Sequence, residues 1–105
     1  MAEDYYQHKI KKYKGNRKLE DICKAMKEKG MEVDCTEFDN GSDYVCFKGP
    51  WDGMPLSIIL NTFNGQFSVF NGFTSALLAT HLSTELDYVP WYMDLLDTLY
   101  EPLEN

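Results

Sequence analysis

The second half of this 105-residue chain has no lysine and no arginine. Positions Gly49–Asn105 contain neither lysine nor arginine, although about a quarter of the residues of an ordinary protein are charged. Nine of the ten basic residues lie in Met1–Gly30, where five acids leave a net charge of +4. The remaining residues carry Lys48 against twelve acids, a net charge of −11, so the two parts sum to −7. Such an asymmetry bears on partners and association rather than on fold.

Signatures of several functional classes are missing as well. There is no glycine-rich phosphate loop, no HExxH and no GxSxG, so we expect no catalytic residue, no cofactor and no metal site. The apolar runs are too short to cross a membrane, and we expect no membrane partner. The first residues are acidic and polar, without the apolar stretch of a signal peptide, and we therefore expect a cytoplasmic protein.

Cysteine is scarce. The three cysteines, Cys23, Cys35 and Cys46, are eleven and twelve positions apart, which does not match a zinc knuckle or a redox motif. If Cys35 and Cys46 lie opposite each other in a hairpin, they are within reach of a disulfide. An odd number of cysteines in a cytoplasmic protein favours reduced thiols instead, and the alternative stays open.

The composition predicts one folded α+β domain over residues 1–105. The chain is long enough to bury a core, and 44% of its residues are hydrophobic. Apolar residues at helical spacing predict two N-terminal and two C-terminal helices, with residues 1–15 as a candidate mobile basic arm. Gly30 would end the second helix, and Asp87 would cap the last one. The four predicted helices cover Asp4–Lys14, Arg17–Lys29, Thr74–Leu82 and Tyr88–Tyr100.

Two Asn-Gly pairs predict two β-hairpins between the helices. Asn40-Gly41 would place Cys35 opposite Cys46 and Val33 opposite Lys48. Asn64-Gly65 would place Leu60 opposite Val69, on the face of the sheet that forms the core. The expected fold has N-terminal helices, a four-stranded antiparallel sheet made of these two hairpins, and C-terminal helices packed on the sheet.

A row of carboxylates is the first candidate site. On a helical wheel its members fall within about 100° of one another, opposite the apolar residues. They could meet a basic protein surface or imitate nucleic-acid phosphates, and the alternative is an ordinary solvated helix face. The predicted acidic stripe consists of Asp87, Asp94, Asp97, Glu101 and Glu104.

An apolar set is the second candidate site. Ile59, Phe63 and Phe70 point to the second face of the predicted sheet, and Trp51 lies in the loop between the hairpins. An exposed apolar patch marks an interface, whereas burial under a helix would make the same residues part of the core. A homodimer through a sheet face or edge would use these residues too.

The basic N-terminal segment is the third candidate site. Its lysines alternate with tyrosines between Tyr5 and Lys18, a combination that can follow a phosphate backbone and stack bases. The alternative is that these lysines neutralise the acidic remainder of the protein. We favour the alternative, because a nucleic acid would also meet the net charge of −11, so direct nucleic-acid binding is disfavoured.

These observations predict a small acidic, non-catalytic inhibitor. Its acidic stripe would occupy a basic surface of a nucleic-acid-binding protein, in the manner of DNA mimics and of phage counter-defence factors such as anti-CRISPR or anti-restriction proteins. This is an analogy of size, charge and missing catalytic motifs. The alternative is a dimeric adaptor, chaperone or immunity-type protein that binds its partner through an apolar sheet face.

Overall fold

Two antiparallel sheets and two helices make up the part of the chain that the structure, a computed structural model, describes: residues 8–37 and 43–103. The α+β class is confirmed, but the main sheet has five strands rather than four, which pair in chain order from the second strand to the sixth. The first and last strands form a separate two-stranded sheet. In chain order the elements are β1 (Tyr13–Asn16), α1 (Leu19–Lys29), β2 (Glu32–Glu37), β3 (Tyr44–Trp51), β4 (Met54–Asn61), β5 (Phe67–Asn71), β6 (Leu77–Thr80), α2 (Pro90–Leu99) and β7 (Tyr100–Pro102).

The pairing of β2 with β3 confirms part of the predicted register. Cys35 lies opposite Cys46, as expected, but Val33 lies opposite Phe47 and not opposite Lys48. A bulge between Val33 and Cys35 inserts one residue, and one inserted residue shifts every pair beyond it. The Asn40-Gly41 turn lies outside the described residues.

The pairing of β4 with β5 differs from the prediction by two residues. Leu60 lies opposite Phe67, because the hairpin closes on Asn61 and not on the Asn-Gly pair. The side-chain Oδ1 of Asn61 accepts hydrogen bonds from the N–H groups of Phe63 and Asn64, at 2.9 and 3.1 Å. A shift of two residues preserves the alternation of faces, so the predicted core face, with Leu60 buried, is confirmed.

The predicted helix over Thr74–Leu82 is wrong, since the structure has a turn followed by β6. The cause lies just upstream, where the Oδ1 of Asn71 accepts hydrogen bonds from Phe73 and Thr74. The N–H of Asn71 donates to the carbonyl of Ala76, and the chain then returns antiparallel to β5. Asparagine competes in this way with helical hydrogen bonding and favours a turn.

The predicted first helix is also wrong over its described part, which forms a turn and then β1. Its beginning, residues 1–7, lies outside the described residues. β1 pairs with β7, so the described portion of the predicted mobile arm is anchored to the other end of the chain. The helix that ends at Gly30, which adopts a left-handed φ of 100°, and the helix that begins at Pro90 are both confirmed.

One face of the main sheet packs against both helices and forms the core. The buried aromatic residues satisfy their polar atoms there: the hydroxyl of Tyr92 donates to the carbonyl of Thr80 at 2.6 Å, and that of Tyr100 donates to the carbonyl of Gly65 at 2.5 Å. Side chains along β4 alternate between buried and half-buried, so the other face is not part of this core. Neither described helix has the length and apolar character needed to cross a membrane.

Candidate functional site

Asp87 does not belong to a surface stripe, and the prediction that it is exposed or caps α2 is wrong. Its side chain is fully buried, with Oδ1 at 2.6 Å from Nδ1 of His8. Its second oxygen accepts a hydrogen bond from the N–H of Lys9. A buried carboxylate needs such donors to compensate for lost hydration, so Asp87 has a structural role that ties the N-terminal segment to the start of α2.

The described remainder of the acidic stripe lies beside lysines. Nζ of Lys11 is 2.9 Å from Oδ1 of Asp97, and Lys29 forms an ion pair with Asp94. The fifth predicted member, Glu104, lies outside the described residues. A third pair joins Lys14 to Glu101 at 3.9 Å.

Asp97 is held most firmly among these carboxylates. Besides Lys11, the hydroxyl of Tyr13 donates to it at 2.9 Å, and Nε of Arg17 donates to its main-chain carbonyl at 2.8 Å. Burial, together with Asp97, raises the pKa of Tyr13, so this phenol remains a donor. Three lysines therefore face three carboxylates, and the prediction of an uncompensated acidic row is wrong for the described members. Their role in binding a partner stays a prediction.

Trp51 cannot contact a partner, because its side chain is completely buried. Its indole Nε1 donates to the main-chain carbonyl of Trp91 at 3.1 Å, and Nζ of Lys29 lies 4.6 Å from the centre of its ring. The sequence predicts a loop between the two hairpins at this position. The structure continues β3 through Trp51 and turns immediately into β4, which directs the ring into the core.

The other three residues of the apolar set lie outside the core. Ile59 and Phe70 are half-buried on the open face of the sheet, where they are diagonal neighbours on adjacent strands. Phe63 lies beyond the end of β4, in the hairpin loop, with 81% of its surface exposed. We call the surface formed by Ile59, Phe70, Leu77 and the flanking Tyr44 the open face.

Leu77 belongs to this surface because the register places it opposite Phe70. Sequence reasoning missed it, since the residue was assigned to a helix. A shallow hollow of about 170 Å³ continues the surface across the sheet, with Tyr44, Ile59 and His81 in its lining. Burial lowers the pKa of His81, which keeps its imidazole neutral at pH 7. The hollow therefore adds no positive charge to the open face.

The strands that build most of the open face carry no formal charge. The sequence from Gly53 to Thr84 contains no Asp, Glu, Lys or Arg, and this range includes β4, β5 and β6. Charged residues of the chain are therefore concentrated elsewhere, in the N-terminal segment, both helices and β2. This uncharged stretch was visible in the sequence and could have indicated the surface.

A second hollow of about 550 Å³ lies between α1 and β2, lined by residues that include Cys23, Met31 and Phe47. Burial raises the pKa of the Cys23 thiol, which leaves it protonated and weakly nucleophilic at neutral pH. Over residues 8–37 and 43–103, no group of three or more His, Cys, Asp or Glu side chains could hold a metal ion. Compared with known proteins, the chain matches no protein family, no curated protein and no solved structure.

Proposed function

We propose that this protein is a non-catalytic binding protein of the adaptor type, which contacts a partner protein through the open face. The observation that carries the proposal is an apolar sheet face, centred on Ile59 and Phe70, outside the packed core. Soluble proteins leave such a surface uncovered mainly where it binds something.

The chemistry of the open face specifies the partner. Because β4, β5 and β6 have no charged residue, these strands offer no counter-ion to a basic or acidic ligand, although Lys48 of the neighbouring β3 lies opposite Ser57 at the margin of this face. They offer apolar side chains, separated by the small residues Ser57 and Ser68, so that a flat, uncharged apolar segment of another protein can pack closely. Burial of apolar area would supply the binding free energy, at roughly 25 cal/mol per Å² before the costs of association.

Binding through the acidic stripe has weaker support. A basic partner would have to displace lysines that already lie beside Asp94, Asp97 and Glu101. Exposed ion pairs of this kind are each worth about 1 kcal/mol or less, so a partner could displace the lysines, but the lysines weaken the local attraction of these carboxylates for a basic partner.

The two modes respond oppositely to salt and to mutation. We expect capture of the partner from extracts of the source cells to persist at about 0.5 M salt, where charge interactions are screened beyond a few ångströms. Phe70→Lys should abolish capture, because it places a charge in the apolar contact. Leu103→Lys is the matched control, since Leu103 is exposed and lies outside the open face.

A combined Asp94→Lys and Asp97→Lys variant completes the test and should bind normally. Circular dichroism and urea unfolding establish that each variant is folded, and Ile59→Thr provides a milder change if Phe70→Lys is not. Loss of capture in the aspartate variant and in high salt, with Phe70→Lys unaffected, would refute the proposal.

A further inference from the structure

We propose that the outer edge of β6 is a homodimer interface, at which a second copy of the chain adds its own β6 in antiparallel orientation. The two five-stranded sheets would then join into one sheet of ten strands. This contact uses the edge of the sheet and shares only Leu77 with the open face, whose central residues Ile59 and Phe70 stay accessible, so it goes beyond the function proposed above and does not depend on it.

The two edge strands of the main sheet, β2 and β6, differ in charge. Natural proteins use charge on an edge strand to prevent it from pairing with another chain. β2 carries Glu32 and Asp34, and its bulge interrupts the strand. Both edge strands have a bulge, so charge is what distinguishes them, because charged side chains on an edge strand hinder another strand from pairing with it. β6 has the sequence Leu-Leu-Ala-Thr, has a bulge as well, but carries no charge. Its two leucines are 59% and 41% exposed.

Further apolar side chains surround the β6 edge. Phe73, in the turn before the strand, is 85% exposed, and Leu82, just after it, is 64% exposed. The range Phe73–Tyr88 holds five of the nine large hydrophobic residues that are exposed within residues 8–37 and 43–103. A strand added at this edge would therefore gain apolar contacts as well as main-chain hydrogen bonds.

The absence of charge along β6 favours a second copy of the chain as the molecule that pairs with this edge. A molecule with net charge −7 repels its own copies over most orientations, but the range from Gly53 to Thr84 brings no like charges together. A two-fold interface requires a surface that is complementary to itself, and an antiparallel pair of identical apolar strands meets that requirement. A charged foreign strand would find no counter-charge on β6.

At the C-terminal end of β6, side-chain hydroxyl groups already accept hydrogen bonds from main-chain N–H groups. This limits the length over which a second copy can pair with the strand. The N–H of Thr80 donates to Oγ of Ser83 at 2.9 Å, and the N–H of Leu82 donates to Oγ1 of Thr80 at 3.1 Å. Thr80 therefore has no N–H left for an incoming strand, so the two copies would pair around Leu77 and Leu78. A pairing this short depends on the leucines, and substituting one of them tests it.

Sedimentation equilibrium of the purified full chain provides the test. We expect a monomer–dimer equilibrium that is detectable at concentrations up to about 100 μM and that Leu78→Lys weakens at least tenfold, about 1.4 kcal/mol. Leu103→Lys, an equally exposed leucine away from β6, should leave the equilibrium unchanged. If Leu78→Lys does not fold, Leu77→Asp replaces it.

Two results would overturn the proposal: a wild-type chain that is monomeric at about 100 μM, or a dimer that Leu78→Lys and Leu77→Asp leave intact. Either result is separable from failure of the proposed function. A monomer whose partner capture is lost only in Phe70→Lys refutes the edge dimer and supports the role of the open face.

Discussion

Nδ1 of His8 lies 2.6 Å from Oδ1 of Asp87, which is 79 positions later in the chain, and both side chains are buried. The N–H of Lys9 donates to the other carboxylate oxygen. Within the part of the chain that the structure describes, Nε2 of His8 is buried without a hydrogen-bond partner. This contact fixes the basic segment beside α2, and the lysines that follow it consequently reach the carboxylates of that helix.

Replacing the buried carboxylate tests how much this contact stabilises the fold. Asp87→Asn keeps the shape but puts an oxygen and an NH2 group where two carboxylate oxygens meet His8 and Lys9, so the buried contact loses its charged acceptor. We expect the free energy of unfolding to fall by about 2 kcal/mol. Asp94→Asn, which breaks an exposed ion pair on α2, should cost less than about 1 kcal/mol. Urea unfolding at neutral pH measures both, and equal losses would contradict the structural role of Asp87.

The backbone at Gly49 lies so close to the backbone of Gly30 and Met31 that a side chain at position 49 would clash with it. A Cβ atom there would lie 2.8 Å from the carbonyl oxygen of Gly30 and 2.9 Å from Cα of Met31. Gly15 has nearly the same φ, 156° against 150°, but a Cβ there would meet nothing within 4 Å. Gly49→Ala should therefore cost about 1–3 kcal/mol more than Gly15→Ala, since only the first adds a steric clash. Similar unfolding free energies for the two variants would show that the approach is not tight.

The β4–β5 loop and the β5–β6 loop differ at one equivalent position, which is Gly65 in the first loop and Ser75 in the second. Gly65 and Ser75 each donate an N–H to the carbonyl of the asparagine that starts the loop, and both have a positive φ, 79° and 65°. Serine is strained there and glycine is not. Ser75→Gly should raise the free energy of unfolding by about 0.5–1 kcal/mol, whereas Gly65→Ala should lower it. A stabilising Gly65→Ala, observed by thermal unfolding, would be inconsistent with the shared geometry.

Acid should destabilise the protein through His81. Burial lowers the pKa of this imidazole in the folded state, although a hydrogen bond to the carbonyl of Phe67 opposes the shift and the charge of His8 adds to it. The unfolded chain then binds more protons as the pH falls below about 6.5, so the free energy of unfolding decreases toward acid pH.

Urea unfolding of wild type and His81→Gln at pH values of about 7.5 and 5.5 isolates this effect, because the other titrating groups are common to both proteins. We expect the wild type to lose more stability on acidification than His81→Gln. Equal losses would mean that His81 titrates alike in the folded and unfolded chains.

Periodicity and turn chemistry predicted the two helices and the core face correctly. The helix that ends at Gly30 and the helix that begins at Pro90 have strong local signals, in a left-handed stop and a proline in the first turn. Leu60 was assigned to the correct face even though its partner was wrong, since an error of two residues leaves the alternation unchanged.

A local turn and a tertiary strand pairing decided the parts that the sequence did not predict. The spacing of Leu77, Leu78 and Leu82 fits a helix as well as a strand, and the side chain of Asn71 selects the strand by turning the chain beforehand. Helical spacing in the N-terminal segment was overridden by pairing with β7 at the far end of the chain.

The surroundings of the predicted acidic stripe were missed for a related reason. A helical wheel places charges on one face of a helix but shows nothing of what lies against that face. Asp87 was given a place on that wheel, whereas it lies before α2 with its side chain turned inward toward His8. Asp97 was assigned correctly to an outer surface, but β1 brings Lys11 and Tyr13 to it.

Site-specific photo-crosslinking in the source cells tests most directly where the partner binds. A photoreactive phenylalanine analogue at Phe70 reports on the open face, and the same analogue at Asp94 reports on the acidic side of α2. We predict a partner adduct from position 70 and none from position 94. An adduct from position 94 alone would contradict the account and restore the acidic stripe as the contact surface.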